Sequence, residues 1–208
     1  MTQRLDDDFG LYGILTNPLL GYEKLAEIMV DAGIRIIQLR MKDVDDETVL
    51  KTAVKLRKLI PADVLFIIND NPHIAKDVNA DGVHLGQADM TFNEARNIVG
   101  PHKVIGLSTH NPLQTVEACS LNPDYIGVGP VFPTPTKKNP DPVIGFDVMK
   151  KMLDLSTVPA VCLGGIEHSN VNDVLSHGAR NICAVRCINS SENPEIEIKK
   201  MQEAIRRF

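Results

Sequence analysis

The chain has 208 residues, 43% of them hydrophobic and 24% charged, with a formal net charge of −5. That length allows one large domain or two small ones with a substantial core, and the acidic balance argues against nucleic acid or an anionic membrane as the main partner. The first eight residues lack the basic and apolar regions of a signal peptide, and no apolar run is long enough to span a bilayer, so a cytoplasmic protein is expected.

Short apolar, β-branched runs alternate with helical-period segments along the whole chain. Strands are predicted at Leu11–Thr16, Ile34–Arg40, Val64–Asn69, Gly82–Leu85, Val104–Ser108, Tyr125–Gly129, Ala160–Gly164 and Asn181–Val185. Helices are predicted near 21–32, 46–60, 72–79, 91–99, 111–120, 146–153, 169–177 and 193–207. Pro61 stops one helix after a basic last turn. Gly33, Gly100 and Gly178 stand just past others, where a left-handed cap is wanted. Eight β–α pairs without a linker-like break in composition predict a parallel sheet covered by helices. The turn after the first strand, Thr16-Asn17-Pro18-Leu19, is not the glycine-rich turn of an open dinucleotide-binding sheet. A single α/β domain over residues 1–208, closed as a (β/α)8 TIM barrel, is the expected fold.

The cysteines, Cys119, Cys162, Cys183 and Cys187, form no Cys-x-x-Cys pair. Three lie in apolar strand-like runs, where a reduced cysteine behaves as a small hydrophobe. Of the six scattered histidines, His84 and His110 stand in or just after strands and could line a site.

A barrel carries its active site at the C-terminal ends of its strands, so polar residues there can be read together. After the second predicted strand, Gln38, Arg40 and Lys42 share one face by alternation, while Leu39 and Met41 take the other. Two cations and an amide on one face suit a phosphate or carboxylate, although solvated loop charges would look the same. Asp70 and Asp89, at the ends of the third and fourth strands, suit a hard cation such as Mg2+. Each could instead cap the helix that follows. Ser108 and His110 close the fifth strand, and Gly164-Gly165 after the seventh offers backbone N–H groups to a phosphate. Arg186, at the end of the eighth, adds a cation there. The most distinctive stretch is 129–145, which holds five of the 13 prolines and so cannot be helix or central strand. It presents Thr134, Thr136, Lys137 and Lys138 on a stiffened loop.

Aligned in this way, the chain closely resembles the thiamine-phosphate synthase family. The resemblance rests on Gln38-Leu-Arg-Met-Lys42, Asn69-Asp70, Gly82-Val-His-Leu-Gly-Gln-Ala-Asp89, Gly106-Leu-Ser-Thr-His110, Gly127-Val-Gly-Pro-Val-Phe-Pro-Thr-Pro-Thr-Lys137 and Gly164-Gly-Ile166. It implies a barrel enzyme, a transferase of thiamine biosynthesis. The enzyme would join a pyrimidine diphosphate to a thiazole phosphate, with Mg2+ as cofactor and release of pyrophosphate. The resemblance further implies that Gln38, Leu39, Arg40, Met41, Lys42, Asn69, Ser108 and Lys137 hold the pyrimidine substrate, chiefly its diphosphate. Arg40, Lys42 and Lys137 would carry catalysis, and Asp70 and Asp89 the metal. Thr134, Pro135 and Thr136 would meet the thiazole, with Gly165, Val185 and Arg186 around its phosphate. Partners would be small phosphorylated molecules, with self-association left open. The chain departs from the family at Met41, often Glu, and at Arg186, often Ser. Two rivals remain: a thiazole tautomerase of the same superfamily, which needs no diphosphate or metal, and a non-catalytic barrel that binds thiamine precursors. An unrelated phosphate-binding aldolase or isomerase barrel ranks behind both, because no lysine falls within a strand.

Overall fold

The structure is a computed structural model describing residues 5, 7–134 and 141–208. Eight parallel strands run in chain order around one sheet: β1 (Gly13–Leu15), β2 (Ile36–Leu39), β3 (Leu65–Asn69), β4 (Gly82–Leu85), β5 (Val104–Thr109), β6 (Tyr125–Val128), β7 (Ala160–Leu163) and β8 (Asn181–Cys183). A parallel bridge from Leu11 to Ile182 joins the last strand to the first, so the ring closes as a (β/α)8 barrel.

Helices α1 (Tyr22–Asp31), α2 (Asp46–Leu59), α3 (Pro72–Asp77), α4 (Phe92–Val99), α5 (Pro112–Ser120), α6 (Gly145–Leu155), α7 (Val171–Ser176), α8 (Val185–Asn189) and α9 (Pro194–Ile205) pack around it. Local sequence starts and stops them. Asp45 caps α2 by accepting from Thr48 N at 2.9 Å, and Arg57 and Lys58 sit in its last turn, where the helix dipole favours cations. Thr91 and Glu94 form a capping box on α4. Asn71 and Asn111 cap α3 and α5, each followed by a proline in the first turn. Asp70 and Asp89 are therefore not caps. Gly33, Gly100 and Gly178 all have positive φ, as the helix ends require.

Alternation along each strand separates two apolar clusters. Ile37, Leu39, Phe66, Ile68, Val83, Ile105 and Ile126 face outward to the helices, in a layer that also takes up Met41. Tyr12, Ile36, Ile67, Val104, Tyr125, Val161 and Cys183 fill the interior. Burying one such large side chain contributes about 1.5–3 kcal/mol, so this two-sided pattern holds the strand register. Among the described residues no helix is long and apolar enough to cross a membrane.

Most element ends fall within two residues of expectation, and the shift at the last strand comes with α8, a helix that the sequence did not predict. The last strand ends at Cys183 rather than Val185, because the chain turns at once into α8. That turn buries Asn189 against β1, where its amide donates to Ile14 O at 2.8 Å and accepts from Thr16 N at 2.9 Å. A tertiary contact overrides the β-propensity of Ala184-Val185.

Candidate active site

The C-terminal ends of the strands open into a cavity of about 400 Å³ lined by Gln38, Arg40, Lys42, Asn69, Asp70, Asp89 and Ser108. These are all the described polar residues expected to meet the pyrimidine diphosphate and the metal. Leu39 and Met41 take the other face, as the alternation expects. Their side chains pack toward the helices, which leaves only their backbone for the site.

Asp70 and Asp89 lie face to face across β3 and β4. Burial raises the Asp70 carboxyl above the usual carboxylate range, the neighbouring Asp89 carboxyl raises it further, and Lys42 acts the other way through an ion pair. Asp89 also accepts from Gly86 N at 2.7 Å. Asp70 has a φ of 65°, a left-handed conformation uncommon outside glycine that clusters at functional sites. Two carboxylates pressed together against a single amine form a donor set that a hard divalent cation would relieve. Among the described residues no group of three or more His, Cys, Asp or Glu side chains could hold a metal; Mg2+ commonly takes only one or two carboxylates and completes its shell with phosphate oxygens and waters.

Arg40 is half-buried, and desolvation lowers its guanidinium pKa. It makes a long hydrogen bond, 3.5 Å, to Thr16 Oγ1, and the Asp70 carboxylate acts on it electrostatically. A second recess of about 80 Å³ lies beside the first, lined by Thr134, Gly164, Gly165, Val185 and Arg186. Ile14, Arg40, Leu163 and Cys183 line both cavities. Arg40 is thus the cation at the seam.

Arg186 is not at a strand end but in the first turn of α8, and its Nε donates to Glu167 at 2.9 Å. An anion entering the recess meets an arginine already committed to a carboxylate. Gly164 and Gly165 have φ of 98° and 63°, and an added Cβ would come within 2.4 Å of Pro130 and 2.6 Å of Pro133 O respectively. The pair lets the segment after β6 lie directly on the end of β7, where Val131 N and Phe132 N donate to Leu163 O and Gly164 O, each at 3.0 Å. A packing role for this Gly-Gly stands beside any phosphate role. Pro135, Thr136 and Lys137 lie outside the described residues.

Sequence reasoning did not pick out Tyr12 and Tyr125, which both line the large cavity. Only the register shows why Tyr125 fits there: it pairs with Gly106, where an added Cβ would lie 2.1 Å from the tyrosine ring. His84 and His110, already suspected, line the same cavity.

Residues 13–188 match the family model described as thiamine monophosphate synthase. The thiamine-phosphate synthase of Lawsonia intracellularis is 39% identical over 202 residues, covering 95% of this chain and 93% of that protein. That of Caldicellulosiruptor bescii is 38% identical over 186 residues, covering 89% and 85%. Among solved structures, thiamine phosphate pyrophosphorylase from Pyrococcus furiosus superposes with a TM-score of 0.85 at 29% identity, covering 96% of each chain. A 3-hexulose-6-phosphate synthase, at 16% identity and a TM-score of 0.70, shares the fold alone.

A closed barrel enzyme with basic and acidic side chains gathered at the C-terminal ends of its strands is the class. The chain belongs to the thiamine monophosphate synthase family. It is a transferase of thiamine biosynthesis.

Proposed function

We propose that this chain, acting as one barrel domain in the cytoplasm, condenses 4-amino-2-methyl-5-(diphosphooxymethyl)pyrimidine with a 4-methyl-5-(2-phosphoethyl)thiazole or its carboxylated form. The products are thiamine monophosphate and pyrophosphate. The observation that carries this reading is the pair of adjoining cavities with Arg40 on the wall of both. A reaction that joins two anionic halves needs two compartments open to each other at the point of bond formation.

The larger cavity takes the pyrimidine diphosphate, with Gln38, Asn69 and Ser108 near the ring and Arg40, Lys42 and Lys137 on the diphosphate. The smaller takes the thiazole phosphate against Thr134, Gly165, Val185 and Arg186, and Pro135 and Thr136 are assigned to the thiazole by the family resemblance. Asp70 and Asp89 would hold Mg2+, which when bound supplies positive charge to the diphosphate oxygens.

The chemistry asked of the side chains is electrostatic. The C–O bond to pyrophosphate breaks first and leaves a pyrimidine-methyl cation. Arg40, Lys42 and Lys137 stabilise the negative charge that grows on the leaving group, in a cavity where such interactions are stronger than in water. The thiazole nitrogen then attacks the cation, so no protein nucleophile is needed. Water would trap the cation as an alcohol, so the reaction requires a site that excludes water while the cation exists.

The test is to incubate the purified protein with both substrates and Mg2+, then measure thiamine phosphate and pyrophosphate. Equimolar formation of the two is expected. Isomerisation of a thiazole alone, or binding without turnover, would replace this reading with a tautomerase or a sensor.

A further inference from the structure

Five polar side chains in the barrel interior form one unbroken chain of hydrogen bonds. Gln38 Nε2 donates to Tyr12 Oη at 2.9 Å, and the two phenol oxygens of Tyr12 and Tyr125 lie 2.7 Å apart. Tyr125 Oη is 3.0 Å from His84 Nδ1, and His84 Nε2 is 2.9 Å from Ser108 Oγ. Tyr12, Gln38, His84 and Tyr125 are each at most 7% exposed, so these bonds face little competition from water. Burial holds both phenols above their ordinary range, and each keeps its single proton.

Proton counting fixes the direction of the whole chain. An amide nitrogen only donates, so the Tyr12 oxygen accepts from Gln38 and sends its own hydrogen to Tyr125. Tyr125 in turn sends its hydrogen to His84 Nδ1. With Nδ1 accepting, the imidazole carries its proton on Nε2 and donates to Ser108. The serine hydrogen is left for the cavity, since no other acceptor takes it among the described residues. At the other end the Gln38 amide oxygen, without a hydrogen bond among the described residues, also opens on the cavity. The cationic Arg40, two positions along the same face of the chain, favours that orientation of the amide over its reverse.

This hydrogen-bond chain therefore turns one acceptor, Gln38 Oε1, and one donor, Ser108 Oγ–H, toward the cavity. A ring with an amino group and an unprotonated ring nitrogen offers the matching donor and acceptor. Its oxo counterpart offers a carbonyl and a ring N–H, which is the opposite polarity. We propose that Tyr12, Tyr125 and His84 are positioning residues whose hydrogen-bond chain sets which way Gln38 and Ser108 face, making the cavity select an aminopyrimidine over the corresponding oxopyrimidine. This rests on reading the large cavity as the pyrimidine compartment. A site built to hydrogen-bond a polar group rejects a mismatched analogue strongly, because its own buried groups are left unpaired.

Two measurements test it. In the wild-type protein with 15N-labelled histidine, the His84 resonance, assigned by its loss in His84→Gln, is expected to show a pyridine-type Nδ1 and a pyrrole-type Nε2. The reverse pattern overturns the proposal whether or not any variant folds. In calorimetry, the wild type is expected to bind 4-amino-5-hydroxymethyl-2-methylpyrimidine more tightly than its 4-oxo analogue. Tyr125→Phe, with Tyr12→Phe as the second variant, is expected to shrink that preference at least about tenfold. Equal weakening of both ligands, or an unchanged preference, would mean that the chain only fills space. The two readings fail separately. Normal synthesis of thiamine phosphate with an unchanged preference in Tyr125→Phe removes the relay alone. The expected tautomer and preference without synthesis removes the reaction alone.

Discussion

The two ends of the barrel treat charge in opposite ways. At the N-terminal end Asp81 and Asp124 are each matched. Asp81 accepts from Phe66 N at 2.9 Å and from Arg57 at 2.6 Å, and Asp124 accepts from Ile105 N at 2.8 Å beside Arg96. Each of these aspartates ties the start of one strand to the helix before it, so backbone donors and guanidinium are satisfied together. At the C-terminal end Asp70 and Asp89 crowd each other with Lys42 as their counter-charge, Asp70 takes a left-handed backbone, and Arg40 is half-buried with a long contact to the Thr16 hydroxyl and the Asp70 carboxylate nearby. The same residue types thus serve cohesion at one end and wait for a ligand at the other. Unrelieved charge marks the working face.

The sharpest way to break that contrast is to remove the carboxylate pair. Asp70→Asn with Asp89→Asn is expected to lower kcat/KM on the order of a thousandfold and to flatten the response to added Mg2+. A normal Mg2+ titration in the double variant would place the metal elsewhere. Next in size, Lys137→Ala is expected to lose about 2–4 kcal/mol of transition-state stabilisation, roughly thirty- to a thousandfold in rate, with the thermal midpoint unchanged. Unchanged turnover would count against its role.

At the other end the effects should change kind. Asp81→Ala leaves Phe66 N and Arg57 without their acceptor and is expected to cost about 1–3 kcal/mol of stability, read as a lower denaturation midpoint, while kcat holds. A loss of activity beyond the loss of folded protein would blur the division between the ends.

The smallest expected effect is also the most diagnostic. Asp70 is raised above its unfolded pKa, so the fold binds the proton more tightly than the unfolded chain does. Its charged form therefore opposes folding at pH values above the folded pKa, and that opposition fades below the ordinary aspartate range. In metal-free buffer at neutral pH, Asp70→Asn is expected to melt slightly higher than the wild type. The advantage should disappear in acid. Added Mg2+ should raise the wild-type midpoint and leave the variant's in place. A variant that melts lower at neutral pH would show that the Lys42 pair outweighs the crowding.

The alternation of strands and helices made the barrel legible because each strand carries an outward apolar set that only a covering helix can bury. Period two also separated Gln38, Arg40 and Lys42 from Leu39 and Met41. The sequence was silent where tertiary contacts rule. Nothing local says that Asn189 folds back on β1 and ends β8 two residues early, or that Glu167 engages Arg186. Tyr12 and Tyr125 read as ordinary strand aromatics until the ring places their hydroxyls 2.7 Å apart. Gly164-Gly165 suggested a phosphate cradle, whereas the contacts with Pro130 and Pro133 give it a packing task as well.

The position of Arg40 on the wall of both cavities has a thermodynamic consequence. Two anions that draw on one guanidinium do not bind independently: the first to arrive uses part of the attraction that the second would have felt. Linkage makes the coupling reciprocal, so each occupant changes the other's affinity by the same factor. With an anion in each cavity, as the proposed function has it, departure of one would return the arginine's full charge to the other and tie the order of release to a single side chain.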